Sequence, residues 1–392
     1  MQDNNLLPNM GSPENHKSFW GAFEHGGNIY RFIDEKNIRP DEVIDFSASI
    51  NPLGVPKSVI KKIVDNIKYL CHYPDPDAKD LTEAIGRHLD IDPQYIMCGN
   101  GSTELIYLTV RALKPERVLI PMPTFSEYER AFRSIYSEHR IKDKISYFVI
   151  WEKDAFKINI EKFIVAMSGN DSSATYKSSL TTSVDMAFLC NPNNPTGRLM
   201  RKGDVVKIAE AARDLKCYLI VDEAFIDFMP EESIVKEVQN NPYLIVLRSM
   251  TKFYALSGIR IGYGIYPQNI IDIIKRHKEP WTVNTIAQIA GITALNDKDY
   301  TKQTLKVIRN EKRVLEDGFR LLGITYFPSD VNFYLVKQEN AQKIISSLRD
   351  KGILIRDCSN FLGLDNSYMR IAVRSNKDNM KLLKELAYIC RE

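Results

Sequence analysis

The sequence contains no apolar stretch long enough to cross a membrane and no close pair of cysteines. Its six cysteines are spread over 392 residues without a CxxC spacing, and Cys98, Cys190 and Cys217 fall in apolar runs. We therefore expect buried free thiols in a reducing compartment, and neither disulfides nor a metal site. The polar residues 1–18 offer neither the basic segment nor the apolar segment of a signal peptide. These absences predict a cytoplasmic protein with no membrane partner.

A strong charge of either sign is also missing. The chain has 53 Lys and Arg against 50 Asp and Glu, a formal net charge of +3. This balance does not call for nucleic acid as a partner, whereas mild basicity suits anionic small molecules. The 44% hydrophobic and 26% charged content is that of an ordinary globular protein. The length is sufficient for two or three units with cores of their own.

Short apolar runs alternate with amphipathic stretches between about residues 90 and 280. Each run ends at a turn or a charged residue, as strands buried on both faces do. The runs are Tyr95–Cys98, Arg117–Ile120, Met186–Cys190, Tyr218–Val221, Leu244–Leu247 and Ile261–Ile265. Helical patterns lie between them, for example over residues 204–215. This alternation predicts an α/β unit with a largely parallel sheet and helices on both of its faces.

After Pro280 the pattern changes to long helices followed by short strands. Helices are predicted at 283–296, 299–322, 341–351 and 377–391, and strands at 324–328, 332–338, 353–357 and 368–373. We predict a large domain over 61–280 and a smaller α+β domain over 281–392, on which residues 19–60 pack. Residues 1–18 are predicted to be a flexible arm. The Ser- and Thr-rich residues 168–183 are predicted to be a surface insertion.

Lys252 lies in the most informative segment of the chain, which runs from Ser249 to Arg260. Its amine can form a Schiff base with an aldehyde cofactor. Arg260 and the hydroxyls of Ser249 and Thr251 can hold a phosphate. The plainer interpretation is a Ser/Thr-rich turn with ordinary surface cations, and the upstream motifs decide between the two.

Three further motifs follow predicted strands, where the ligands of open α/β sheets bind. The turn 99–104, Gly-Asn-Gly-Ser-Thr-Glu, leads into a helix whose first amides can bind a phosphate. The turn 191–197, Asn-Pro-Asn-Asn-Pro-Thr-Gly, can direct an amide toward a ligand. Asp222 ends a buried strand and needs a partner, such as a protonated pyridine nitrogen. Each motif alone also has a structural interpretation, as a common turn or a salt-bridged aspartate.

In this combination and chain order the motifs resemble the fold-type I pyridoxal-phosphate enzymes of the class I/II aminotransferase group. The resemblance implies pyridoxal 5′-phosphate as the cofactor, with Lys252 holding it covalently and Asp222 paired with its ring nitrogen. It also implies that Asn194 bonds the ring hydroxyl and that Phe125 stacks on the ring. Phe225, where many relatives carry tyrosine, would touch the ring. The residues implied at the cofactor phosphate are Gly101, Ser102, Thr103, Ser249, Thr251 and Arg260. Tyr73 matches a tyrosine that reaches the neighbouring subunit's phosphate, which implies a homodimer with shared sites.

The ends of the chain resemble one subfamily more than the others. The segments His25–Asn28, Asp45–Gly54, Pro280–Asn284 and Arg370–Ser375 look like those of threonine-phosphate decarboxylases of cobalamin synthesis. Histidinol-phosphate aminotransferases share the core motifs but usually lack the HGGN opening. The resemblance implies decarboxylation of threonine phosphate or serine phosphate to aminopropanol phosphate or ethanolamine phosphate. The substrate contacts that it implies are His25, Gly26, Ser49, Asn194, Arg356 and Arg370, although Ser49 stands where the family usually has asparagine.

Other interpretations stay open at this point. On physical grounds alone, His25 is more often a capping or core residue, and Arg356 and Arg370 are more often solvated strand ends. A substrate with a carboxylate and a phosphate nevertheless needs two anion sites, and forked guanidiniums suit both, without an assignment between them. The main functional alternative is an aminotransferase on histidinol phosphate. A cofactor-sensing regulator is the third, but some 20 residues before the matched region are too few for a DNA-binding module.

Overall fold

The computed structural model of this chain describes residues 25–141, 143–169, 175–176 and 183–390. The predicted arm at 1–18 and most of the predicted insertion at 168–183 lie outside these residues. Within them, the helices are all too short or too polar to traverse a bilayer. The cysteines are free thiols, and the predicted burial of Cys98, Cys190 and Cys217 is confirmed.

Helices and strands alternate along most of the described chain. The helices are α1 (Ile29–Lys36), α2 (Lys57–Asn66), α3 (Lys79–Leu89), α4 (Ser102–Leu113), α5 (Glu127–Arg133), α6 (Glu138–Ile141), α7 (Ile160–Met167), α8 (Lys202–Asp214), α9 (Gln268–Lys275), α10 (Thr285–Asn296), α11 (Lys298–Leu321), α12 (Ala341–Asp350) and α13 (Asn376–Ile389). The strands are β1 (Ile44–Asp45), β2 (Ile96–Gly99), β3 (Val118–Met122), β4 (Ile145–Val149), β5 (Thr175–Tyr176), β6 (Met186–Cys190), β7 (Tyr218–Asp222), β8 (Leu244–Ser249), β9 (Gly262–Ile265), β10 (Thr325–Tyr326), β11 (Phe333–Lys337), β12 (Ile353–Leu354), β13 (Arg356–Asp357) and β14 (Tyr368–Ala372).

Side-chain caps define where the long helices after Pro280 begin. Asn284 accepts a hydrogen bond from the amide of the third residue of α10, and Asp297 and Ser375 do the same for α11 and α13. Each cap satisfies one of the amides that a helix start leaves without a partner. The predicted helices at 283–296, 299–322 and 377–391 are therefore confirmed, with their ends adjusted by one or two residues.

Among the described residues, the large sheet has eight strands in the order β2-β9-β8-β7-β6-β3-β4-β5. Strands β3, β4, β6, β7 and β8 are parallel, whereas β9 runs antiparallel to both of its neighbours. Because β9 is antiparallel to β2 and to β8, those two strands point the same way. The predicted α/β class is confirmed. The parallel strands are almost wholly buried, as expected for a sheet covered by helices on both faces.

The carboxyl-terminal unit contains an antiparallel sheet in the order β10-β11-β14-β13. The chain's beginning joins this unit: Ile44 of β1 pairs with Ile353 of β12, and the amide of Ala372 donates to the carbonyl of Phe46 at 3.0 Å. Residues far apart in sequence thus lie side by side near the last strand. The domain boundaries at residues 18, 60 and 280 stay predictions.

Candidate active site

One edge of the large sheet gathers the loops that follow five of its strands. Gly101 follows β2, Phe125 follows β3, Asn194 follows β6, Asp222 ends β7, and Lys252 follows β8. Asp222 pairs with Cys190 on one side and with Leu247 on the other, so the ends of β6, β7 and β8 lie side by side. Because parallel strands end together, motifs that are 150 residues apart in the chain meet at this edge.

The turn before α4 forms a cradle with Arg260. Gly101 has a φ of +81°, and a Cβ there would lie 2.6 Å from Nη2 of Arg260. A Cβ on Gly262 would lie 2.4 Å from the amide nitrogen of Ser102. Only glycine permits these two close approaches. The amides at the start of α4, which no side chain caps among the described residues, and the adjacent guanidinium together suit a phosphate.

Two hydroxyls lie at the end of β8 and just after it. Oγ of Ser249 and Oγ1 of Thr251 are 2.8 Å apart and share a hydrogen bond. Arg260 donates to the carbonyl of Ser257 at 3.0 Å, which holds its side chain on this loop. Thr103 lies in the first turn of α4. These groups are hydrogen-bond donors of the kind a phosphate ester accepts from.

Lys252 has an unusually acidic ammonium group. The pKa of Lys252 is lowered to about 8, mainly because the surrounding protein removes the ammonium group from water. The positive charges of Arg370 and Arg260 contribute to this lowering, while Asp222 acts in the opposite direction. An appreciable fraction of the amine is therefore neutral near physiological pH, and only the neutral amine attacks an aldehyde.

This pKa predicts how the reactivity of Lys252 depends on pH. In the cofactor-free protein, acylation of Lys252 should speed up as the pH rises and level off above a pH of about 8. The acylation rate of exposed lysines should keep rising up to a pH of about 10.4. Arg370→Met should move the midpoint upward because it removes a positive charge, and Asp222→Asn should move it downward. Peptide mass mapping after timed acylation measures each midpoint. A midpoint above 10 in the wild type would contradict the prediction.

Asp222 and Glu223 are both buried but differ in their partners. Glu223 accepts from Nη1 of Arg248 at 3.1 Å and from Oγ of Ser233 at 2.6 Å. Asp222 accepts from the hydroxyl of Tyr128 at 2.8 Å and from the amide of Ala224 at 3.0 Å. Among the described residues no cationic group lies within 4.0 Å of the Asp222 carboxylate.

Burial raises the pKa of Asp222, and the hydrogen bond from Tyr128 only partly opposes this. A buried carboxylate in this position is stabilised by a cation, and the protonated ring nitrogen of pyridoxal phosphate is such a cation. The residues at this edge therefore fit the cofactor. Asp222 matches the ring nitrogen, Lys252 the aldehyde, and the Gly101–Arg260 cradle the phosphate.

The three asparagines of the turn after β6 have separate roles. Asn191 exchanges hydrogen bonds with the backbone of Met200, and Asn193 donates to the carbonyl of Pro123 at 3.0 Å. These two amides hold the turn. The side chain of Asn194 accepts a hydrogen bond from Nη1 of Arg370. The turn thus presents Asn194 to the site and joins it to the carboxyl-terminal unit.

Two aromatic rings flank this edge. The ring of Phe125 lies edge-on to Tyr128, with the ring centroids 5.7 Å apart. Phe225 is buried and packs edge-on against Phe333 at 5.1 Å. The Phe225 side chain has no hydroxyl, so it contributes packing and no hydrogen bond.

Arg356 and Arg370 are direct neighbours on adjacent strands, paired in the register of β13 and β14. Both are buried, at 8% and 7% exposure, so their interpretation as solvated strand ends is wrong. Arg356 donates to Oδ1 of Asn360 at 2.7 Å, and Arg370 donates to the carbonyl of Ser47 at 2.9 Å. Burial and the charge of Arg356 lower the pKa of Arg370 to about 10. Two buried like charges side by side favour the binding of anions.

The other predicted substrate contacts lie around these arginines. A Cβ on Gly26 would lie 2.3 Å from the carbonyl of Ser47 and 3.2 Å from Cδ of Arg356, so the backbone passes too closely for any other residue. Ser49 is buried, and its Oγ lacks a hydrogen-bond partner in the part of the chain that the structure describes. His25 is exposed, and its ring lies 5.5 Å from that of Phe125.

One predicted cofactor contact lies apart from the others. Tyr73 is 80% exposed and packs against Trp281 with the two rings tilted and their centroids 4.8 Å apart. Two residues of the site were not singled out from the sequence: Tyr128, which donates to Asp222, and Glu127, which accepts from His25. Both follow Phe125 closely, but neither partner is close in the sequence, so no local signal indicates the contacts.

Fold and site define a pyridoxal-phosphate enzyme. Residues 41–386 match the family Aminotransferase class I and II. The chain belongs to this family, and its cofactor is pyridoxal phosphate.

Individual relatives have two activities. The chain is 37% identical to a threonine-phosphate decarboxylase from Salmonella typhimurium, over 92% of this chain and 95% of the relative. The histidinol-phosphate aminotransferase from Clostridium acetobutylicum superposes with a TM-score of 0.79 and 34% identity, over 89% of this chain and 99% of that one. The L-threonine-O-3-phosphate decarboxylase from Porphyromonas gingivalis superposes with a TM-score of 0.75 and 26% identity, over 89% of this chain and 100% of that one.

Proposed function

We propose that this enzyme decarboxylates an O-phospho amino acid, threonine phosphate or serine phosphate, for the nucleotide loop of cobalamin. The observation that carries the proposal is the buried pair Arg356 and Arg370, which provides two cations for a substrate with two anionic groups. The 37% identity to a threonine-phosphate decarboxylase supports the same substrate class. The products would be aminopropanol phosphate or ethanolamine phosphate.

Bound pyridoxal phosphate supplies an electron sink for the bond that breaks at the substrate's α carbon. The chain's own residues choose the bond. Which bond breaks would depend on where Arg356 and Arg370 hold the substrate's anions. Arg370 is fixed by Asn194 and by the carbonyl of Ser47, and Arg356 by Asn360, so both guanidiniums are preorganised.

Further residues complete the chemistry that we propose. The Asp222 carboxylate would supply the negative charge that keeps the ring nitrogen of the bound cofactor protonated, which would make the cofactor a better electron sink. After carbon dioxide leaves, the α carbon needs a proton. Nζ of Lys252, with a pKa of about 8, can hold that proton and deliver it near neutral pH.

The test of the function is product identification. The purified enzyme is incubated with threonine phosphate and serine phosphate, and in parallel with histidinol phosphate and 2-oxoglutarate. We expect carbon dioxide and a phosphorylated amino alcohol from the first pair. If phosphorylated substrates instead convert the cofactor to its pyridoxamine form without release of carbon dioxide, the aminotransferase alternative is correct.

The choice between the two phospho amino acids is a separate prediction. They differ by one methyl group, and a methyl contact discriminates by about 1–3 kcal/mol, or roughly ten- to two-hundredfold. We therefore expect both to be decarboxylated. Ser49→Asn lengthens a buried side chain whose Oγ has no hydrogen-bond partner among the described residues, and it should change the ratio of the two kcat/KM values.

Both kcat/KM values are measured on one preparation of each variant. Ser137→Asn, a change at an exposed serine, is the matched control and should leave the ratio unchanged. A wild-type ratio above about a thousandfold would exceed what a methyl contact supplies. An unchanged ratio in Ser49→Asn would remove this residue from substrate selection.

The proposal includes a homodimer with shared sites in the cytoplasm. Helix α2 and the turn after it expose Ile60, Val64, Ile67 and Leu70, each at least half exposed, and Tyr73 lies beyond them. Contiguous apolar side chains of this kind mark an interface. The free cysteines support a reducing compartment. Light scattering tests the dimer, and Val64→Glu should produce monomers with reduced activity.

A further inference from the structure

A buried carboxylate beside the proposed site has no role in the function described so far. Glu127, in the first turn of α5, is only 4% exposed. Its Oε1 lies 2.7 Å from Nε2 of His25, and its Oε2 accepts from the hydroxyl of Tyr107 at 2.9 Å. Nη1 of Arg130 lies 3.4 Å from Oε1. Glu127 therefore connects α4, α5 and the segment before α1.

The carboxylate of Glu127 is held in its charged form. Burial acts to raise the pKa of Glu127, but the contact with His25, the hydrogen bond from Tyr107 and the charge of Arg130 outweigh it and hold the pKa below its usual range. A buried charge with several donors has a fixed position. It can fix the position of the donors in turn.

His25 is the exposed member of this cluster and faces the substrate side. Its side chain is 42% exposed, against 5% for Glu127. Its ring lies 5.5 Å from Phe125, and the next residue, Gly26, approaches Cδ of Arg356. The two glycines after His25 give the segment many backbone conformations, so an anchor is needed to keep the imidazole in one place.

We propose that Glu127 is a positioning residue, which holds His25 by Nε2 so that Nδ1 donates a hydrogen bond to an anionic group of the substrate. Glu127 accepts at Nε2, and an anion accepts at Nδ1. Because both partners accept, both ring nitrogens of His25 act as hydrogen-bond donors in this arrangement. The inference rests on the proposed function for the substrate's chemical class, a small molecule with carboxylate and phosphate groups.

The experiment measures binding to the holoenzyme without turnover. Calorimetry with 3-phosphoglycerate reports on both anions, because this compound has a hydroxyl where serine phosphate has its amine and cannot react with the cofactor. Glycerol 3-phosphate and glycerate report on the phosphate and the carboxylate separately. The variants are Glu127→Gln, His25→Ala and the double variant, which form a double-mutant cycle. Glu129→Gln is the matched control, since Glu129 lies on the same helix and pairs with Arg133 at 2.7 Å.

We expect Glu127→Gln to weaken 3-phosphoglycerate binding about tenfold, the scale of one hydrogen bond to a charged group. In the His25→Ala background, Glu127→Gln should weaken 3-phosphoglycerate binding by less than about twofold, because Glu127 acts through His25. The control should bind as the wild type does. Glycerol 3-phosphate and glycerate show which anion His25 contacts, and a loss on either one supports the proposal.

The proposal would be overturned if Glu127→Gln weakened binding equally with His25 present and with His25→Ala, or if it weakened binding in neither. Melting temperatures check that the variants fold. If Glu127→Gln does not fold, Glu127→Asp keeps the charge but withdraws the carboxylate from His25, and it should show the same dependence on His25. The cycle is independent of the reaction catalysed. An enzyme that binds 3-phosphoglycerate through His25 but releases no carbon dioxide would refute the decarboxylase and leave the role of Glu127 intact.

Discussion

Replacing Lys252 with alanine is expected to slow carbon dioxide release by at least about a thousandfold. The substitution removes both the amine that we propose attaches the cofactor and the group that we propose delivers the proton, and proton transfer alone contributes about 10²–10⁴-fold. In the wild type, borohydride reduction should place a pyridoxyl group on Lys252, as peptide mass mapping will show. In the variant, no peptide should carry it.

Lys337→Ala provides the control for this measurement. Lys337 pairs with Glu152 on the surface at 2.9 Å, so its loss removes a lysine without touching the site. This variant should keep its activity and its label. A pyridoxyl group on any other lysine of the wild type would refute the assignment of Lys252.

The second large effect is expected at Asp222. Asp222→Asn should lower kcat by about 10²–10³, the usual cost of losing a preorganised charge at the reacting group. An asparagine can still accept from the amide of Ala224 and can donate to the hydroxyl of Tyr128. The free energy of unfolding of the cofactor-free protein should therefore change by less than about 1 kcal/mol.

The neighbouring carboxylate offers the contrasting variant. Glu223→Gln removes one of the two acids that neutralise the buried Arg248, the other being Asp227 at 2.5 Å. This substitution should lower the free energy of unfolding by an amount on the order of 3 kcal/mol. Urea unfolding and steady-state kinetics on both variants separate the effects. If Asp222→Asn loses stability and keeps kcat, Asp222 is a structural residue.

The two reactions found among the relatives cannot be told apart by fold. An aminotransferase and a decarboxylase superpose on this chain with TM-scores of 0.79 and 0.75. The outcome of the reaction depends instead on a few side chains that orient the substrate's anions. For this reason the proposed function rests on the buried pair Arg356 and Arg370, and its decisive test is the product.

Some elements were predictable from the sequence because their information is local. The run Met186–Cys190 is apolar throughout, and the strand has the same bounds in the structure. The order of motifs around Asp222 and Lys252 was sufficient to indicate the family. The roles of these residues stay predictions, but their placement at strand ends follows from the βαβ pattern.

Other elements were missed or incomplete. Strand β4 (Ile145–Val149) was not predicted, since serine and tyrosine interrupt its apolar residues. Strand β9 was predicted, but its antiparallel direction was not. An apolar run indicates that a strand is buried, whereas the direction of the strand depends on the side from which the chain enters the sheet.

By itself, the sequence of this protein determined the fold class, the family and the set of candidate groups, because periodicity and motif spacing are properties of neighbouring residues. Only the tertiary structure decided which groups meet. It placed Arg356 beside Arg370 across two strands and joined His25 to Glu127 over 102 residues. It also buried Asp222 with no cationic group of the described residues within 4.0 Å of its carboxylate. Such contacts depend on strand register and on packing between distant segments, and a linear pattern of residues specifies neither.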